Sequence, residues 1–553
     1  MPTQPTIVEL NMDELDAFLR RAEAKQLLDE DYDIIQTLSR SYVHLIALLK
    51  DKKTSIDRLR KLLFGAKTEK TAAVVGSGID GEAPPLREED TGTETATDGD
   101  PPTPRKGHGR NGADAYRGAE QIHVPHETLH PGDPCPECQQ GTVYEVSRPG
   151  VLVRIVGQAP VHATVYRLQK LRCNLCGKVF TAQAPEGVGT EKYDATVASM
   201  IALLKYGSGL PFNRLEGLQG NLGVPLPAST QWDIVNETAK LIAPVYAELI
   251  RQAAQGEVMY NDDTTMKILE LMGKRAKAKA LAEAGNEGMD APKRAKDGPK
   301  RKGVFTSGIV STSDGRTIVL FFTGRRHAGE NLGAVLAQRA TTLSPPIQMC
   351  DALSHNDPKG FETILANCIA HGRRQFVDVV ANFPDECRYV LETLGDVYKH
   401  DATARERNLS PDERLRFHQA ESGPVMDGLK EWMTHQLEGR LVEPNSGLGE
   451  AITYMLKHWE KLTLFLHKAG APLDNNITER ALKRAILHRK NAMFYKSENG
   501  ARVGDLFMSL IHTCQLCGAD PFDYLTKLHK HAAELGSDPA AWMPWNYRHE
   551  WST

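Results

Sequence analysis

Apolar residues near the start of the chain recur at heptad spacing. One set of positions is spaced by seven residues, and a companion set falls between its members: Ile35, Tyr42, Leu49, Ile56 and Leu63, with Leu38, Leu45, Lys52 and Leu59. This pattern predicts about four heptads of a coiled coil within residues 1–65, for which oligomerisation is the natural use. Tyr42 and Lys52 are imperfect seam residues, so a long amphipathic helix packed on its own protein is the alternative.

Residues 66–104 are rich in Gly, Thr, Pro and acidic residues, which predicts a flexible linker. Eight acids and one arginine lie between positions 71 and 104, so the overall net charge of -4 hides a net positive remainder. Segregated charge of this kind is compatible with a DNA-binding surface. A basic stretch follows, PRKGHGRNG, with Arg105, Lys106 and Arg110; it has the composition of a minor-groove arm or of a basic tether.

Two Cys-x-x-Cys pairs flank β-like sequence: Cys135 and Cys138, then Cys173 and Cys176. Each pair offers two thiolates on one turn, and two such turns complete a tetrahedral four-thiolate site without an open position. We therefore predict a structural Zn²⁺ ion in a zinc ribbon within residues 105–190, against the alternative of incidental free thiols. A third pair, Cys514 and Cys517, has no partner pair and lies in helical sequence, where buried cysteines are the better interpretation.

Helical sequence occupies residues 191–255, with a break at residues 220–227. A short helix is predicted over residues 212–218, and a second helix (ASTQWDIVNETAKLIAPVYAELI) opens at Ala228, behind Pro227. A short helix, a tight turn and a second helix with polar residues at its start form the helix-turn-helix layout, in which the second helix can enter the major groove of DNA. An ordinary helical hairpin is an equally good interpretation, because the second helix has no clear basic stripe.

From Gly256 the pattern changes to that of strands. GEVMYNDDTTMKILELM is followed by VFTSGIVSTSDGRTIVLFFTG, whose Ser-Asp-Gly turn predicts a hairpin. Between them, residues 274–302 are rich in Lys, Arg, Ala and Gly, which predicts a solvent-exposed insertion able to contact DNA phosphate. A helix (ENLGAVLAQRA) follows, and then Asp351 stands directly behind a short apolar run. Residues 384–467 are mostly helical in pattern.

A helix crowded with cations carries a lone acid, Glu479, within residues 471–491 (APLDNNITERALKRAILHRKN). Asp474 or Asn475 can cap its start. An apolar stripe recurs at three- and four-residue spacing: Ile477, Ala481, Leu482 and Ala485. Glu479 lies off that stripe, among more basic residues than one carboxylate needs: Arg480, Lys483, Arg484, His488, Arg489 and Lys490. A single acid surrounded by basic residues indicates a site where metal ions bind a phosphodiester. The alternative is a solvated cationic helix with one salt-bridging Glu.

Asp262, Asp351 and Glu479 together provide three carboxylates, which are hard oxygen ligands. They suit two Mg²⁺ or Mn²⁺ ions about 4 Å apart, one of which activates an attacking oxygen while the other stabilises the leaving oxygen at phosphorus. Asp263 is the rival of Asp262. Because neighbouring strand residues point to opposite faces, only one of the two can face the metal ions.

Basic residues near two of these acids are candidate DNA contacts. His371, Arg373 and Arg374 follow Asp351 in the sequence CIAHGRRQF, where a structural histidine and exposed arginines are an equally good interpretation. The bases after Glu479 are better candidates for contacting DNA phosphates: Arg480, Lys483, Arg484, Arg489 and Lys490. Such contacts carry no sequence information, so recognition of a DNA sequence would fall to the helix-turn-helix, the zinc ribbon and the Arg105 region.

The order of the three acids is that of a DDE transposase, with one acid in a strand, one at the end of a later strand and one on a helix. Several local sequences narrow the match: Asp-Asp-Thr in the first strand, CIAHGRRQF, LDNNITERALKRAILHRKNAMFYKSENG, LRKLLFGAKTEK and the paired cysteine knuckles. Together they resemble the transposases of the insertion sequence 66 family. The resemblance covers nearly the whole chain, and residues 474–500 are its most specific part.

The resemblance implies an RNase H-like α/β catalytic core and an enzyme that cuts and joins double-stranded DNA. Water would first release a 3′-hydroxyl at each element end, and that hydroxyl would then attack target DNA. Asp262 and Asp351 would hold or bridge the metal ions, and Glu479 would complete one coordination sphere. Small accessory proteins of the same element are possible partners. Two alternatives stay open: an RNase H-like nuclease without strand transfer, and a catalytically silent DNA-binding or assembly protein.

The chain as a whole is predicted to be a multidomain α+β protein. Its segments are the coiled coil (1–65), the acidic linker (66–104), the basic arm with the zinc ribbon (105–190), the helix-turn-helix-like region (191–255), the first part of the catalytic core (256–376), a helical insertion (377–470) and the last part of the core (471–553). No apolar run approaches about 18 residues and the start lacks a signal-peptide pattern, so we expect a protein of the bacterial cytosol without membrane contact, associated with the nucleoid when bound to DNA.

Overall fold

A computed structural model describes residue 21 and residues 127–145, 158–172, 174, 178–189, 191–273, 303–313 and 315–546. Several predicted features lie outside these residues: the heptads, the acidic linker, the basic arm with Arg105, Lys106 and Arg110, the basic insertion at 274–302, and the second cysteine pair, Cys173 and Cys176. The coiled coil, the arm and the four-cysteine zinc site therefore stay predictions.

The first described elements are a short hairpin and a group of helices. The hairpin pairs β1 (Lys170–Arg172) with β2 (Val179–Thr181) in antiparallel fashion. The helices that follow are α1 (Ala195–Ala202), a π-helical turn (Leu203–Gly207), α2 (Phe212–Asn221), α3 (Ala228–Leu241) and α4 (Ala243–Ala253).

The break between α2 and α3 is held by one glutamine. Gln231 is fully buried, and its side-chain amide donates to the carbonyls of Leu226, at 2.8 Å, and Phe212, at 3.1 Å. The two helices predicted on either side of the break are confirmed. The second one is shorter than its pattern indicated. It ends at Leu241, and α4 begins separately with Pro244 in its first turn, where the missing proline N–H costs no helical hydrogen bond.

A five-stranded mixed sheet follows. Its strands are β3 (Val258–Thr265), β4 (Phe305–Ser313), β5 (Arg316–Gly324), β6 (Ile347–Cys350) and β7 (Ile364–Asn367). Their order across the sheet is β5-β4-β3-β6-β7, in which β4 is antiparallel to both β5 and β3, whereas β3, β6 and β7 run parallel to one another. The predicted hairpin is the β4–β5 pair, and Gly315 in its turn has a φ of +74°, which glycine adopts without strain.

The remaining elements are helical. They are α5 (Ala328–Leu336), a 3₁₀ turn (Ser354–Asn356), α6 (Ile369–Val379), α7 (Pro384–Glu406), α8 (Pro411–Glu421), α9 (Gly423–Glu438), α10 (Gly447–Lys457), α11 (Trp459–Leu462), α12 (Asn476–Ala492), α13 (Glu498–Leu516) and α14 (Pro521–Lys530). The mostly helical character predicted for residues 384–467 is confirmed. Cys514 is buried on α13, as its helical pattern indicated.

Helices cover both faces of the sheet. On one face, Asn331 of α5 donates to the Ser307 hydroxyl at 2.8 Å, and the Ser311 hydroxyl donates to the carbonyl of Ala253 at the end of α4. On the other face, Leu482 of α12 lies against Gly308, and α13 packs along β5. Because successive residues of a strand point to opposite faces, odd-numbered residues of β3 and β4 face α4 and α5, and even-numbered residues face α12 and α13.

The described residues fall into two compact units. One contains Arg373–Thr403 and Pro424–Thr453, and its helices α7 and α9 bring the rings of Tyr389 and Trp432 to 4.8 Å. The other contains the sheet, the helices on its two faces, and Asp262, Asp351 and Glu479. None of the described helices is both long enough and apolar enough to cross a membrane.

The contact between α5 and the loop after β6 leaves no room for a side chain at Gly329. A Cβ atom there would lie 2.7 Å from the carbonyl carbon of Asn356 and would also meet the carbonyl of Asp357. Because backbone atoms cannot rotate away, we expect Gly329→Ala to lower the free energy of unfolding by about 1–3 kcal/mol. Urea unfolding followed by circular dichroism measures this loss.

Gly217→Ala is the matched control, because Gly217 lies on α2 with open space around its Cβ position. Alanine is the better helix former, so this variant should be as stable as the original protein or slightly more so. Equal stability of Gly329→Ala and Gly217→Ala would contradict the close approach of α5 to the loop.

Candidate active site

Asp262 and Asp351 lie side by side at the same ends of two neighbouring strands. In the parallel pair of β3 and β6, Tyr260 stands opposite Met349. Asp262 lies two residues after Tyr260 and is still in β3, and Asp351 lies two residues after Met349, directly after β6. The alternation of the strands directs both toward the α12 face. An acid at the end of a buried parallel strand is a common position for a functional group.

Glu479 reaches the same face from the first turn of α12. A glycine allows this helix to lie close to the sheet: Gly308 pairs opposite Asp262, and a Cβ at Gly308 would be only 3.0–3.1 Å from the Leu482 side chain. The stripe predicted for this helix is confirmed, since Ala481, Leu482 and Ala485 are buried and Ile477 is partly buried. The glycine and the small stripe residues bring the helix bearing Glu479 onto β3 and β4.

The ionisation of Asp262 reflects this environment. Burial, together with the charges of Asp351, Asp263 and Glu479, raises its pKa to about 7. The backbone N–H of Asp263 donates to the Asp262 carboxylate at 2.8 Å and opposes the shift. A buried acid whose ionisation is disfavoured by neighbouring carboxylates fits a site that binds cations, because a bound cation would stabilise its charged form.

Asp263 points to the opposite face. Its carboxylate accepts from the backbone N–H of Ala328, at 3.1 Å, and lies 3.0 Å from His327 Nδ1. Both partners are at the start of α5, where a carboxylate also benefits from the helix dipole. Of the two adjacent acids, Asp262 is therefore the one on the same face as Asp351 and Glu479.

A layer of buried carboxamides holds the strand ends and α12 in register. Five side chains, each at most 1% exposed, make up this layer: Asn261, Gln348, Asn356, Asn367 and Asn475. Gln348 donates to Asn261 Oδ1 at 2.9 Å and to the Asn356 carbonyl at 2.7 Å. Asn261 donates to that same carbonyl at 3.0 Å. These carboxamides were not predicted from the sequence, because an isolated Asn or Gln in a strand or turn has no distinctive pattern.

The carboxamide layer also fixes Asp351. The Asn356 amide donates to Asp351 Oδ1 through a short hydrogen bond, and the Leu353 backbone N–H donates to the same oxygen at 3.2 Å. Asn367 donates to the Asp351 carbonyl at 3.4 Å. The carboxylate is thus oriented from several sides while one of its oxygens, Oδ2, accepts no hydrogen bond from any described residue.

The start of α12 confirms Asp474, one of the two predicted capping residues, and not Asn475. Asn475 occupies the cap position, but its side chain makes no capping hydrogen bond. Its amide instead donates to the carbonyl of Asn261 in β3, at 3.2 Å. Asp474 accepts from the backbone N–H of Asn476 at 3.1 Å. The Asn475 side chain therefore bonds a strand that is distant in the sequence and not its own helix. This bond connects α12 to β3.

Two further side chains flank the acids. His371 Nε2 lies 3.8 Å from Glu479 Oε1, and its Nδ1 is buried without a hydrogen-bond partner among the described residues. Tyr454 was not singled out from the sequence. Burial raises the pKa of its hydroxyl to about 12, with the charge of Asp351 as the second cause. Its place near Asp351 depends on long-range folding, which local patterns do not show.

The basic residues of α12 divide into two groups. Arg480, Lys483 and Lys490 are exposed and remain candidates for contact with DNA. Arg489 is hydrogen-bonded to the end of β3, with its guanidinium 2.7 Å from Thr265 Oγ1, and Arg484 bonds Gln515 of α13. These two arginines hold the helix to the core as well as adding positive charge. Of the two arginines on α6, Arg373 is buried and Arg374 partly exposed.

His488 was grouped with these bases and does not belong there. Its ring is buried and lies stacked 4.7 Å from Tyr495 and 6.4 Å from Tyr206. Burial, with the nearby Lys205 as the second cause, lowers its pKa to about 3, so it is neutral at physiological pH. A histidine on the inner face of a helix packs as a core residue here.

The first cysteine pair forms a tight turn. Cys135 N–H donates to the Gly141 carbonyl at 2.7 Å, and Gln139 N–H donates to the Cys135 carbonyl at 2.9 Å. The backbone N–H groups of Gln140 and Gly141, and the Cys135 thiol, lower the pKa of Cys138. Backbone donors aimed at a thiolate are compatible with a metal knuckle, since the thiolate is the form that binds metal.

Similarity to known proteins agrees with this geometry. The transposase IS66 family matches residues 191–284 and 294–503, which is more than half of the chain and includes all three acids. The chain therefore belongs to the IS66 transposase family. Membership of a transposase family indicates an enzyme that processes DNA.

Three similar proteins come from Sinorhizobium fredii (strain NBRC 101917 / NGR234). Uncharacterized protein y4jD is 26% identical over 539 residues, which are 93% of this chain and 98% of that protein. Uncharacterized protein y4qI is 28% identical over 66% of this chain and 63% of its own length. Uncharacterized protein y4hP is 25% identical over 69% of this chain and 67% of its own length. The similarity to y4jD extends across nearly the whole of both chains.

Replacement of Asp262 by a neutral residue tests whether its burial beside other carboxylates destabilises the folded protein. The pKa of Asp262 is about 7 in the folded protein, against 3.8 in the unfolded chain. Protonation of Asp262 therefore stabilises the folded protein in full below the unfolded pKa, and this stabilisation is lost as pH rises through about 7. We expect Asp262→Asn in EDTA to raise the free energy of unfolding by on the order of 1–4 kcal/mol at about pH 8.5, with little effect at about pH 4. Urea unfolding at both pH values measures the difference.

Asp538→Asn is the control for this comparison, because Asp538 is exposed and the same atoms change. Its effect on stability should be equal at the two pH values. If Asp262→Asn is no more stable than the original protein at the higher pH, the acids do not crowd one another as the structure indicates.

Proposed function

We propose that this chain is a DDE transposase, which cuts DNA at transposon ends and joins those ends to target DNA. The observation that carries the proposal is the meeting of Asp262, Asp351 and Glu479 on one face of the sheet, where their charges help to raise the pKa of Asp262. Membership of the IS66 transposase family supports it. The strand order β5-β4-β3-β6-β7, with two antiparallel pairs on one side of β3 and two parallel pairs on the other, fits an RNase H-like core.

The residues fit two Mg²⁺ or Mn²⁺ ions. All three acids offer carboxylate oxygens, the ligand type that these ions prefer, and Asp351 keeps one oxygen free of hydrogen bonds to described residues. When bound, such a pair of ions supplies Lewis-acid activation of the attacking oxygen and stabilisation of the leaving oxygen. Asp262 and Asp351 would hold or bridge the pair, and Glu479 would complete one coordination sphere.

The protein's own contribution is placement. Bonds from Asn356 and Leu353 hold the Asp351 carboxylate in one orientation, and the bond from Asn475 to β3 sets the depth of α12 and hence of Glu479. His371 is close enough to Glu479 to contact a phosphate bound beside it. The exposed bases Arg480, Lys483 and Lys490 lie along the same helix, where they would neutralise the phosphates of a DNA end.

The other regions would serve recognition and assembly. The α2–α3 pair would dock on DNA as a helix-turn-helix, with the zinc ribbon and the basic arm as further contacts. The N-terminal heptads would join copies of the chain, so that two DNA ends are held together. Small proteins of the same element would assist as accessory factors. The protein would work in the bacterial cytosol.

Glu479→Gln tests the enzyme directly. We expect it to bind labelled element-end DNA normally but to reduce nicking and joining by more than about a hundredfold in Mg²⁺ or Mn²⁺, because a neutral amide is a poor ligand for these ions. Gel assays with a target plasmid score both products. Glu460→Gln, an exposed acid of α11, is the control and should leave both reactions unchanged.

The products separate the possible outcomes. Joined products that disappear in Glu479→Gln support the transposase and the assignment of the third acid. Cleavage without joining would instead identify a nuclease. DNA binding without any cleavage, even after addition of extract from cells that carry the element, would identify a silent DNA-binding protein. Unchanged joining by Glu479→Gln would contradict the assignment of Glu479.

The four-cysteine zinc site has a separate test. We expect Cys138→Ser to lose one zinc ion per chain, and Cys173→Ser to lose the same ion, because four thiolates share it. Elemental analysis of the dialysed protein measures the loss. Cys517→Ser, from the pair on and after α13, is the control and should keep the zinc. Full zinc content in Cys138→Ser would rule out the proposed ribbon site.

A further inference from the structure

A second group of metal-ligating side chains lies on the opposite face of the sheet from the three acids. Asp263 comes from β3, His327 precedes α5, and His355 lies in the 3₁₀ turn that follows Asp351. One donor atom from each lies within 4.8 Å of the other two. The three residues are far apart in the sequence, and only the fold brings them together.

Two of these side chains have clear structural partners. Asp263 Oδ2 meets His327 Nδ1 at 3.0 Å and accepts from Ala328 N–H at 3.1 Å. The His327 ring packs against Phe305, with ring centroids 4.2 Å apart. These contacts orient the carboxylate and the first imidazole. They leave Asp263 Oδ1 without a hydrogen bond to any described residue.

His355 has no such structural role. Its ring lies beside that of His327, with centroids 4.8 Å apart and planes tilted by 32°, and its nitrogens form no hydrogen bond with a described residue. The Asp263 side chain is only 8% exposed and that of His327 23% exposed. A helix cap and its ion pair explain Asp263 and His327, but they give no reason for a second imidazole beside them.

We propose that Asp263, His327 and His355 bind a divalent transition-metal ion of the Zn²⁺ type. Two imidazoles and one carboxylate form a donor set that suits Zn²⁺ and related ions, whereas Mg²⁺ prefers oxygen ligands alone. Three protein ligands leave a fourth position to water.

The ion would connect the first strand, the start of α5 and the loop after β6. His355 is followed by Asn356, whose amide bonds Asp351 Oδ1. A metal held by His355 would therefore restrain the turn that orients Asp351, from the face opposite to the three acids. This site is separate from the four-cysteine ribbon and stands whether or not the chain is a transposase.

Zinc binding to the full-length chain tests the proposal. The protein is stripped of metal and equilibrated with Zn²⁺ in millimolar Mg²⁺, which occupies oxygen-only sites, and bound zinc is counted by elemental analysis. We expect His355→Ala to bind one zinc ion fewer per chain than the original protein, or to hold that ion at least about tenfold more weakly. His467→Ala, an exposed histidine outside the cluster, is the control and should bind zinc normally.

A second measurement separates this ion from one bound by cysteines. Co²⁺ in a site of nitrogen and oxygen ligands gives visible absorption without the thiolate-to-metal charge-transfer bands of a cysteine site. We expect Cys138→Ser to keep this absorption and His355→Ala to lose it. Zn²⁺ should also raise the unfolding temperature of Cys138→Ser but not that of the Cys138→Ser, His355→Ala double variant. Equal metal content and equal spectra with and without His355 would overturn the proposal.

Discussion

The burial of Asp262 beside two other carboxylates is the constraint on which the rest of the core depends. Burial and the charges of Asp351, Asp263 and Glu479 raise the pKa of Asp262 to about 7, so in the folded protein without metal a substantial fraction of this group stays protonated near neutral pH. Such an arrangement costs free energy, and the surrounding structure must supply it. Active sites commonly store destabilisation of this kind, because the groups are positioned for a ligand that is itself charged.

The scaffold offsets this cost with contacts that are not themselves charged. Five buried carboxamides connect β3, β6, β7, the turn after Asp351 and the start of α12. Buried polar groups of this kind stabilise a unique arrangement only when they find partners, and most of those here do. Gly308 then lets α12 approach the sheet closely. The acids are thus held by hydrogen bonds from neutral amide groups and by packing.

Sequence patterns predicted the elements better than their connections. An apolar run before Asp351, a Ser-Asp-Gly turn and the stripe on the Glu479 helix each correspond to an observed element, because each depends on neighbours within a few residues. The choice between Asp262 and Asp263 was stated from strand alternation, and the partners of Asp263 at the start of α5 now favour Asp262. Of the two predicted capping residues, Asp474 accepts the helical N–H, whereas Asn475 bonds Asn261, 214 residues away, which no local pattern shows. His488 was misread as a surface base because Tyr206 and Tyr495 cover it from other elements.

Direct observation of metal ions at the three acids is the sharpest test of the central claim. Crystals soaked in Mn²⁺ and measured at the manganese absorption edge locate each ion by its anomalous scattering. We predict two peaks about 4 Å apart among the carboxylates of Asp262, Asp351 and Glu479, both lost in Asp262→Asn. Well-ordered carboxylates with no manganese between them at saturating Mn²⁺ would contradict a two-metal site formed by these acids.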